Sequence, residues 1–300
     1  MDAIARALRG EPGRSFDSIE AFFAEHQRRV AGFERPIDRA IAGGALADRL
    51  GYAFASGYAA AIQALCPALG AGDLASLAAT EEGGAHPKAI RTQLRPAPGG
   101  GFLLEGHKKW VTLAGAQLLV LARLGEDEQG RAVLRVVRLP RDRQGIRTVP
   151  LSAMPFVPEI PHAEIVFEGV AVFEDELLPG DGWTAWVKPF RTVEDIHVHA
   201  AVLAHLLTLG VRSSWPRALL EQLSATLVCF RALSLEDPSS RTVHIALAGA
   251  MAQARAAIAQ IEPLWDAQPA DVRERWRRDR PLLEVAQKAR AARIDKAWAD

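Results

Sequence analysis

Hydrophobic positions recur at helical spacing at both ends of this 300-residue chain and in short alternating runs in its middle. Near the N terminus, the spacing predicts a helix capped by Ser15 and a longer one from Ile37 to Leu65, which Pro67 stops. After Val187 the spacing again predicts helices, over 192–210, 216–234, 240–261 and 280–298.

The middle of the chain has a residue pattern that is typical of β-strands. Residues 74–138 and 163–173 contain short alternating or β-branched runs separated by turn residues. The charged segment GEDEQGR (125–131) is predicted to be a hairpin loop between two apolar strands. The pattern therefore predicts an α+β protein with three domains: N-terminal helices at 1–71, a central β domain at 72–182 and C-terminal helices at 183–300.

Charge and cysteine content narrow the classes of function. Basic and acidic residues balance at 36 each, so no surface for nucleic acid is indicated. The apolar runs, such as 118–122, are too short to span a bilayer, and no signal-peptide pattern precedes Ser15. Cys66 and Cys229 have no metal-ligand spacing and are predicted to be buried free thiols. We therefore expect a cytoplasmic protein without nucleic-acid or membrane partners.

The stretch FRTVEDIHVHAA (190–201) places two acids and two histidines at the start of a predicted helix. His197 and His199 would point about 200° apart on a helix, and each faces only one acid. A zinc site needs three or four ligands, so no metal site is predicted. One alternative is a helix start, with Thr192 as the N-cap and Glu194 and Asp195 in the first turn, where acids are favourable.

Three ordered motifs carry a resemblance to a known family. LAATEEGGAHPKAIRT (77–92) and GFLLEGHKKWVTLAGAQLLVLAR (101–123) resemble the acyl-CoA dehydrogenase patterns T-E-P-x-A-G-S-D and G-x-x-L-N-G-x-K-x-W-I-T. AEIVFEGVAVFEDELLPGDGW (163–183) is similar to a later segment of the same family. The resemblance covers about residues 50–260. It implies an acyl-CoA dehydrogenase-like fold with N-terminal helices, a central β-barrel-like domain and a C-terminal helical bundle.

The resemblance also implies a flavin cofactor, FAD. A flavin ring needs an apolar or aromatic wall and hydrogen-bond donors along its polar edge. Trp110 and Thr112 are expected on one face of a strand, because strand side chains repeat with period two. By resemblance, Trp110 would cover the flavin, Thr112 would bond the N5 edge and Thr80 would bond the pyrimidine side.

The chain departs from the family at several positions. Glu82 stands where the T-E-P motif has proline, and one residue of that motif is missing. Ala85 or His86 stands where the family has the serine that helps to hold acyl-CoA or cofactor. The arginine loop that normally reaches the flavin pyrophosphate across a dimer appears only as RSSWPRALLEQL (212–223), with Arg212 and Gln222 as its remnants. The family's C-terminal E-G-T segment, which often carries the catalytic base, is not found.

A functional interpretation of the acidic stretch comes from the same resemblance. Isovaleryl- and long-chain-type members place the catalytic glutamate early in the first helix after the β domain. VEDIHVHAAVLA (193–204) overlays that pattern, with Glu194 in the position of the base. Asp195 replaces the usual arginine, and a second negative charge beside Glu194 would raise its proton affinity.

The activity that the resemblance implies is α,β-dehydrogenation of an acyl-CoA thioester, with an electron-transfer flavoprotein as the possible electron acceptor. A homodimer or homotetramer is expected, because family members associate through their C-terminal bundles. Two alternatives stay open. One is a catalytically degenerate member that acts as a subunit of a hetero-oligomeric dehydrogenase, and the other is an acyl-CoA or acyl-carrier binding protein without redox chemistry.

Overall fold

A computed structural model of the chain describes residues 2–11 and 14–299. These residues form two compact units. The helical unit comprises Met1–Pro67, Met154–Glu159 and Thr192–Asp300, and the β unit comprises Ala68–Ala153 and Ile160–Arg191. The α+β arrangement expected from the sequence is confirmed, whereas the three-domain division stays a prediction.

The N-terminal part of the helical unit has four helices where two were predicted. The cap of the second helix is Ser18, whose side chain accepts a hydrogen bond from the Ala21 amide at 3.2 Å, so the prediction of Ser15 as the cap is wrong. Ser15 contacts the Asp48 carboxylate instead, at 3.4 Å. The long helix predicted to Leu65 is broken at extended residues before Leu50. The helices are α1 (Ala3–Leu8), α2 (Ile19–Val30), α3 (Pro36–Leu46) and α4 (Leu50–Leu65).

The C-terminal part of the helical unit contains long helices and a broken end. The helix predicted over 280–298 is wrong at its start, because residues 280–284 form a short 3₁₀ helix and Ala286 has a left-handed backbone with φ +69°. One helix, α8, was not predicted. The helices are α5 (Lys188–Arg212), α6 (Arg217–Leu233), α7 (Arg241–Ile261), α8 (Ala270–Asp279) and α9 (Gln287–Ala299).

Small residues bring α3 and α4 against α5. A Cβ atom on Gly44 would lie 2.1 Å from the Ala201 carbonyl oxygen, and one on Gly57 would lie 2.6 Å from the Val198 Cα atom. Neither glycine therefore tolerates a side chain without a shift of backbone. These close approaches fix the position of α5, which carries the acidic stretch.

The β unit is one curled sheet of seven strands in the order β1-β4-β2-β3-β7-β6, with β5 paired to β4. The β4–β5 pair is antiparallel and confirms the hairpin predicted around the charged loop. The core of the β unit is a cluster of mainly aliphatic side chains on the inner face of the sheet. The strands are β1 (Ala75–Ala78), β2 (Gln93–Pro96), β3 (Phe102–Thr112), β4 (Gln117–Glu126), β5 (Ala132–Pro140), β6 (Ile146–Pro150) and β7 (His162–Val172).

Neither cysteine forms a disulfide. Cys66 is buried, as predicted, but Cys229 is exposed on α6, so the prediction of two buried thiols is wrong for Cys229. Across residues 2–11 and 14–299, none of the helices combines the length and the apolar character needed to cross a bilayer.

Candidate functional site

The end of strand β3 is irregular, and the irregularity displays Trp110. Pairing of β3 with β7 shifts register between Lys108 and Val111, which marks a β-bulge. Lys108 and Val111 are both fully buried, although residues three positions apart on a regular strand point to opposite faces. Trp110 lies between them with φ +58°, and 53% of its surface is exposed. The bulge therefore turns a large aromatic side chain outward from a packed strand.

The unusual backbone continues past the strand. Leu113 and Ala114 also have positive φ values, +64° and +41°, which are uncommon for residues with a side chain. The turn is held by Ser76, whose hydroxyl donates to the Thr112 carbonyl oxygen at 2.7 Å and accepts from the Gly115 amide at 2.8 Å. Backbone strain of this kind costs about 1–3 kcal/mol per residue and clusters at ligand sites. Thr112 itself is half-buried.

A buried ion pair lies behind this surface. The Lys108 ammonium is 2.6 Å from a Glu81 carboxylate oxygen. The same carboxylate accepts hydrogen bonds from the backbone amides of Arg91, at 2.7 Å, and Thr92, at 3.1 Å. Burial lowers the pKa of Lys108 to about 8, although Glu81 opposes the shift. Burial raises the pKa of Glu81, but Lys108 and the two amides outweigh it and hold the carboxyl below its usual pKa.

The ion pair also places Thr80 beside β3. Thr80 precedes Glu81, and its carbonyl oxygen accepts a hydrogen bond from the Lys109 amide at 2.8 Å. The β unit thus brings together three of the residues predicted from the sequence, Thr80, Trp110 and Thr112. Sequence reasoning missed Glu81 and Lys108. The inward position of Lys108 on an otherwise apolar strand face was the signal that could have found them.

Ala85 and His86 lie in a tight turn of the β unit. Glu81 and Gly84 exchange backbone hydrogen bonds of 3.1 and 2.9 Å across the start of this turn. The exposed His86 side chain accepts from the Lys88 amide at 3.3 Å and begins a short 3₁₀ helix. Its ring centroid is 6.2 Å from that of Trp183. Both residues are therefore on the surface of the turn that follows Thr80.

Glu194 lies within α5 and not in its first turn. The helix begins at Lys188 and is preceded by a π-helical turn, Gly182–Val187, which Asp181 caps by accepting from the Thr184 amide at 2.8 Å. The prediction of Thr192 as an N-cap is therefore wrong, and the helix-start interpretation of the two acids fails with it.

Asp195 is neutralised by two guanidinium groups. Arg290 donates to one carboxylate oxygen at 2.9 and 2.8 Å, and Arg293 donates to the other at 2.7 Å. The sequence interpretation assigned Asp195 the role of an uncompensated negative charge that raises the proton affinity of Glu194. That interpretation is wrong, because the two arginines of α9 compensate the charge.

Glu194 lines an apolar cavity of about 100 Å³ within the helical unit. Its walls include Phe54 of α4 and Val198 and Val202 of α5. The remaining wall is the segment that precedes α9, through Leu282 and Leu283. The cavity therefore combines the carboxylates of Glu194 and Asp195 and the Arg290 guanidinium with aliphatic and aromatic surface.

The two histidines of the acidic stretch form hydrogen bonds with backbone carbonyl groups of α5 rather than bind a ligand. The Nδ1 atoms of His197 and His199 lie 2.8 and 2.7 Å from the carbonyl oxygens four residues earlier. Burial lowers the pKa of each to about 4, so both are neutral at pH 7. In the described part of the chain, no cluster of three His, Cys, Asp or Glu residues is arranged to hold a metal ion.

Arg212 and Gln222 have separate surroundings in the helical unit. Arg212 is exposed at the end of α5 and lines a cavity of about 200 Å³ with Arg49 and Arg275. Gln222 on α6 accepts a hydrogen bond from the Gln260 side chain at 3.0 Å. The cavity beside Arg212 is also lined by Asp48, which pairs with Arg49 at 2.7 Å, whereas Gln222 serves an α6–α7 contact.

Comparison with known proteins identifies the fold. Residues 76–170 match the family model "Acyl-CoA dehydrogenase, middle domain". Butyryl-CoA dehydrogenase from Megasphaera elsdenii is 14% identical and superposes with a TM-score of 0.69 over 100% of this chain and 97% of that chain. FMN-bound TdsC from Paenibacillus sp. A11-2, a dibenzothiophene monooxygenase, is 14% identical, with a TM-score of 0.70 over 99% and 97%.

A third similar structure is the prolyl acyl carrier protein oxidase AnaB, with 14% identity and a TM-score of 0.69 over 98% of this chain and 96% of that one. No curated protein matches the chain by sequence. The acyl-CoA dehydrogenase-like fold expected from the three motifs is confirmed. The chain therefore has an acyl-CoA dehydrogenase-like fold, and its residues 76–170 match the middle domain of that family.

Proposed function

We propose that the protein binds FAD through Thr80, Trp110 and Thr112 and dehydrogenates an acyl-CoA thioester with Glu194 as the base. The observation that carries the proposal is the bulge at the end of β3, which exposes Trp110 beside Thr112. Such a display costs stability unless a ligand covers it. The resemblance of the surrounding motifs to the acyl-CoA dehydrogenase patterns identifies a flavin as the ligand.

The residues present fit a flavin. Its ring system is flat and largely apolar with a polar edge, and needs a wall and donors. Trp110 supplies an aromatic wall that is 53% exposed, and its ring forms a T-shaped pair with the His162 ring, with centroids 6.5 Å apart. Thr80 and Thr112 are half-buried and supply hydroxyl groups from neighbouring segments of the β unit. The buried Glu81–Lys108 pair holds these segments in place without using a polar group of the surface.

A bound flavin would supply the acceptor for the hydride that leaves the β-carbon of the acyl group. Trp110 would exclude water from one face of the flavin ring, and the Thr112 hydroxyl would form a hydrogen bond with the polar edge of the ring and orient it. Glu194 would take the α-proton, a task typically worth about 10²–10⁴-fold in rate. The neighbouring Asp195 is engaged by the guanidinium groups of Arg290 and Arg293.

We propose FAD rather than FMN, with Arg212 of one chain reaching the pyrophosphate of the flavin bound by its partner, as the resemblance implies. Guanidinium groups bind phosphates well, and FAD has a pyrophosphate that FMN lacks. Mass spectrometry of the released cofactor separates the two, since TdsC, a protein of the same fold, was solved with FMN.

The proposal includes a homodimer or homotetramer that forms through the C-terminal helices. Val228 on α6 and Leu235, two residues past the end of that helix, are 56% and 62% exposed. Large apolar side chains that are exposed to solvent are typical of contact surfaces. An electron-transfer flavoprotein is the proposed electron acceptor, and the cytoplasm is the proposed location.

The experiment that tests the function is anaerobic mixing of the purified, cofactor-loaded protein with butyryl-CoA. The proposal expects a flavin absorbance near 450 nm that is bleached within seconds. A protein that binds FAD but is bleached by no acyl thioester is the degenerate subunit of a hetero-oligomer. A protein that rejects FAD and still binds acyl-CoA is the binding protein without redox chemistry, and either result would overturn the proposal.

A further inference from the structure

Strand β1 and the turn after β3 are joined by one buried hydroxyl group, that of Ser76. This residue lies on β1 and is fully buried. Its hydroxyl donates to the Thr112 carbonyl oxygen at 2.7 Å and accepts from the Gly115 amide at 2.8 Å. The two hydrogen bonds therefore bridge Leu113 and Ala114, both of which have a left-handed backbone.

The backbone of this turn needs tertiary contacts to keep its shape. Residues with a side chain are strained at positive φ, and such strain persists only where the surrounding structure fixes it. The Leu113 amide donates to the Pro161 carbonyl oxygen at 2.8 Å, which fixes one point of the turn. The Ser76 hydroxyl fixes its two ends, and one of these ends is the Thr112 carbonyl group. The orientation of Thr112 therefore depends on Ser76.

The strand that carries Ser76 also leads to Thr80. β1 ends at Ala78, two residues before Thr80, whose carbonyl oxygen accepts a hydrogen bond from the Lys109 amide at 2.8 Å. β1 and the segment after it thus contact β3 and its turn at both threonines of the proposed flavin surface. The hydrogen bond from Ser76 to Thr112 therefore links the positions of these two threonines.

We propose that Ser76 is a positioning residue for the flavin, which holds the Thr112 backbone so that the Thr112 hydroxyl points toward the polar edge of the ring. This inference rests on the proposed function, because that function assigns Thr112 to the flavin. Ser76 acts through Thr112 and not by contact with the ring, since the residue is fully buried. Loss of the Ser76 hydroxyl would free the Thr112 carbonyl group and move the side chain away from the flavin.

The test is a double-mutant cycle in which the dissociation constant of FAD is measured by fluorescence titration of the apoprotein. Ser76→Ala removes both hydrogen bonds, and Thr112→Val removes the hydroxyl that they orient. A hydrogen bond changes an equilibrium constant by about 3–10-fold, so each variant should weaken FAD binding by about this factor. Added to Thr112→Val, Ser76→Ala should weaken binding by less than about twofold, because two residues that act through one contact are not additive.

Val137→Ala is the matched control for a loss of stability alone. Val137 is a fully buried core residue of β5, a strand that pairs with β4. Its truncation should lower the urea midpoint but keep the FAD dissociation constant within about twofold of wild type. If Ser76→Ala fails to fold, Ser76→Cys takes its place in the cycle, since a thiol is a weak donor and a weak acceptor.

Three results would overturn the inference, with either substitution of Ser76. The first is a variant that binds FAD as tightly as wild type. The second is an effect of the same size with and without Thr112→Val, because a residue that acts through Thr112 has little effect once that hydroxyl is gone. The third is an equal weakening of FAD binding in Val137→Ala, which would assign the effect to stability.

Anaerobic reduction by butyryl-CoA separates this inference from the proposed function. If the cycle shows the expected coupling but butyryl-CoA does not bleach the wild-type flavin, the dehydrogenase proposal fails and the role of Ser76 stands. If butyryl-CoA bleaches the wild-type flavin and the Ser76 variant binds FAD normally, the dehydrogenase proposal stands and the role of Ser76 fails. A wild-type protein that binds no FAD would contradict both.

Discussion

The Lys108 ammonium lies 2.6 Å from a Glu81 carboxylate oxygen, and both side chains are buried in the β unit. The two residues belong to the two motifs with which the family resemblance begins, TEEGGAHP and HKKWVT. Thr80 precedes Glu81, and Trp110 follows Lys108 by two positions. The ion pair therefore fixes the position of Thr80 relative to Trp110. The proposed flavin-binding surface thus depends on two buried residues that would not contact the flavin themselves.

We expect Lys108→Met to destabilise the protein strongly. Removing one partner of a buried ion pair leaves the other charge uncompensated and costs about 3–5 kcal/mol. The double variant Glu81→Gln, Lys108→Met should recover part of this loss, because no full charge is then buried. Urea unfolding of the three proteins measures the difference, and a double variant less stable than Lys108→Met would contradict the account.

Trp110→Ala should lower flavin retention without lowering the free energy of unfolding of the apoprotein by more than about 2–3 kcal/mol. The side chain is 53% exposed, so about half of its apolar surface is buried in the absence of a ligand. Trp298→Ala is the matched control, since Trp298 is an exposed tryptophan on α9. The measurement is the ratio of flavin to protein after gel filtration. Equal ratios in both variants would show that Trp110 does not cover the cofactor.

Acidification should unfold the protein below neutral pH through four histidines, of which His199 is half-buried and the other three are buried. Burial lowers the pKa of His26, His197, His199 and His205 to about 4 in each case. An imidazole in the unfolded chain has a pKa of about 6.5, so between pH 6.5 and 4 the unfolded state binds more protons. The stability that these groups contribute is complete above pH 6.5 and is lost as the pH falls to 4.

The free energy of unfolding should therefore fall steeply over this range, by up to about 1.4 kcal/mol per pH unit for each histidine. His197→Gln should make the pH dependence shallower by about one proton, whatever its effect at neutral pH. Urea unfolding at a series of pH values measures the slope. An unchanged slope in His197→Gln would contradict the neutral state assigned to this side chain.

Asp195→Asn should release the C-terminal segment from α5. The substitution leaves Arg290 and Arg293 without their shared carboxylate, both in partly buried positions, at a cost of about 3 kcal/mol. Asp271→Asn is the control, because its pair with Arg275 is largely exposed and worth at most about 1 kcal/mol. Limited proteolysis after Arg280 should be faster in Asp195→Asn alone. Equal rates of proteolysis in the two variants would show that the ion pairs of Asp195 with Arg290 and Arg293 do not hold the C-terminal segment against α5.

Local signals allowed much of the fold to be predicted. The β4–β5 hairpin follows from a charged turn between apolar runs, and α6 and α7 follow from long stretches with helical spacing. The start of α5 could not be predicted, because its effective cap is Asp181, ahead of a π-helical turn that no spacing rule anticipates. Ser15 was a plausible cap, but its hydroxyl donates a hydrogen bond to the Asp48 carboxylate, which is distant in sequence.

The candidate site was predictable where it depends on motifs and not where it depends on tertiary contacts. Trp110 and Thr112 were found by resemblance, but period-two alternation says nothing of the bulge and the left-handed backbone that display Trp110. Asp195 was misjudged because Arg290 and Arg293 are about a hundred residues away in sequence. No pattern of charges within the helix reveals such partners.

The central claim is that Glu194 is the base. Glu194→Gln keeps the shape of the side chain and removes its ability to accept a proton, so folding and FAD content should stay near those of wild type. The rate of flavin reduction by butyryl-CoA under anaerobic stopped-flow conditions should fall by about 10²–10⁴-fold, whereas Glu221→Gln on the exposed face of α6 should leave it unchanged. A Glu194→Gln protein that reduces its flavin at the wild-type rate would contradict the account.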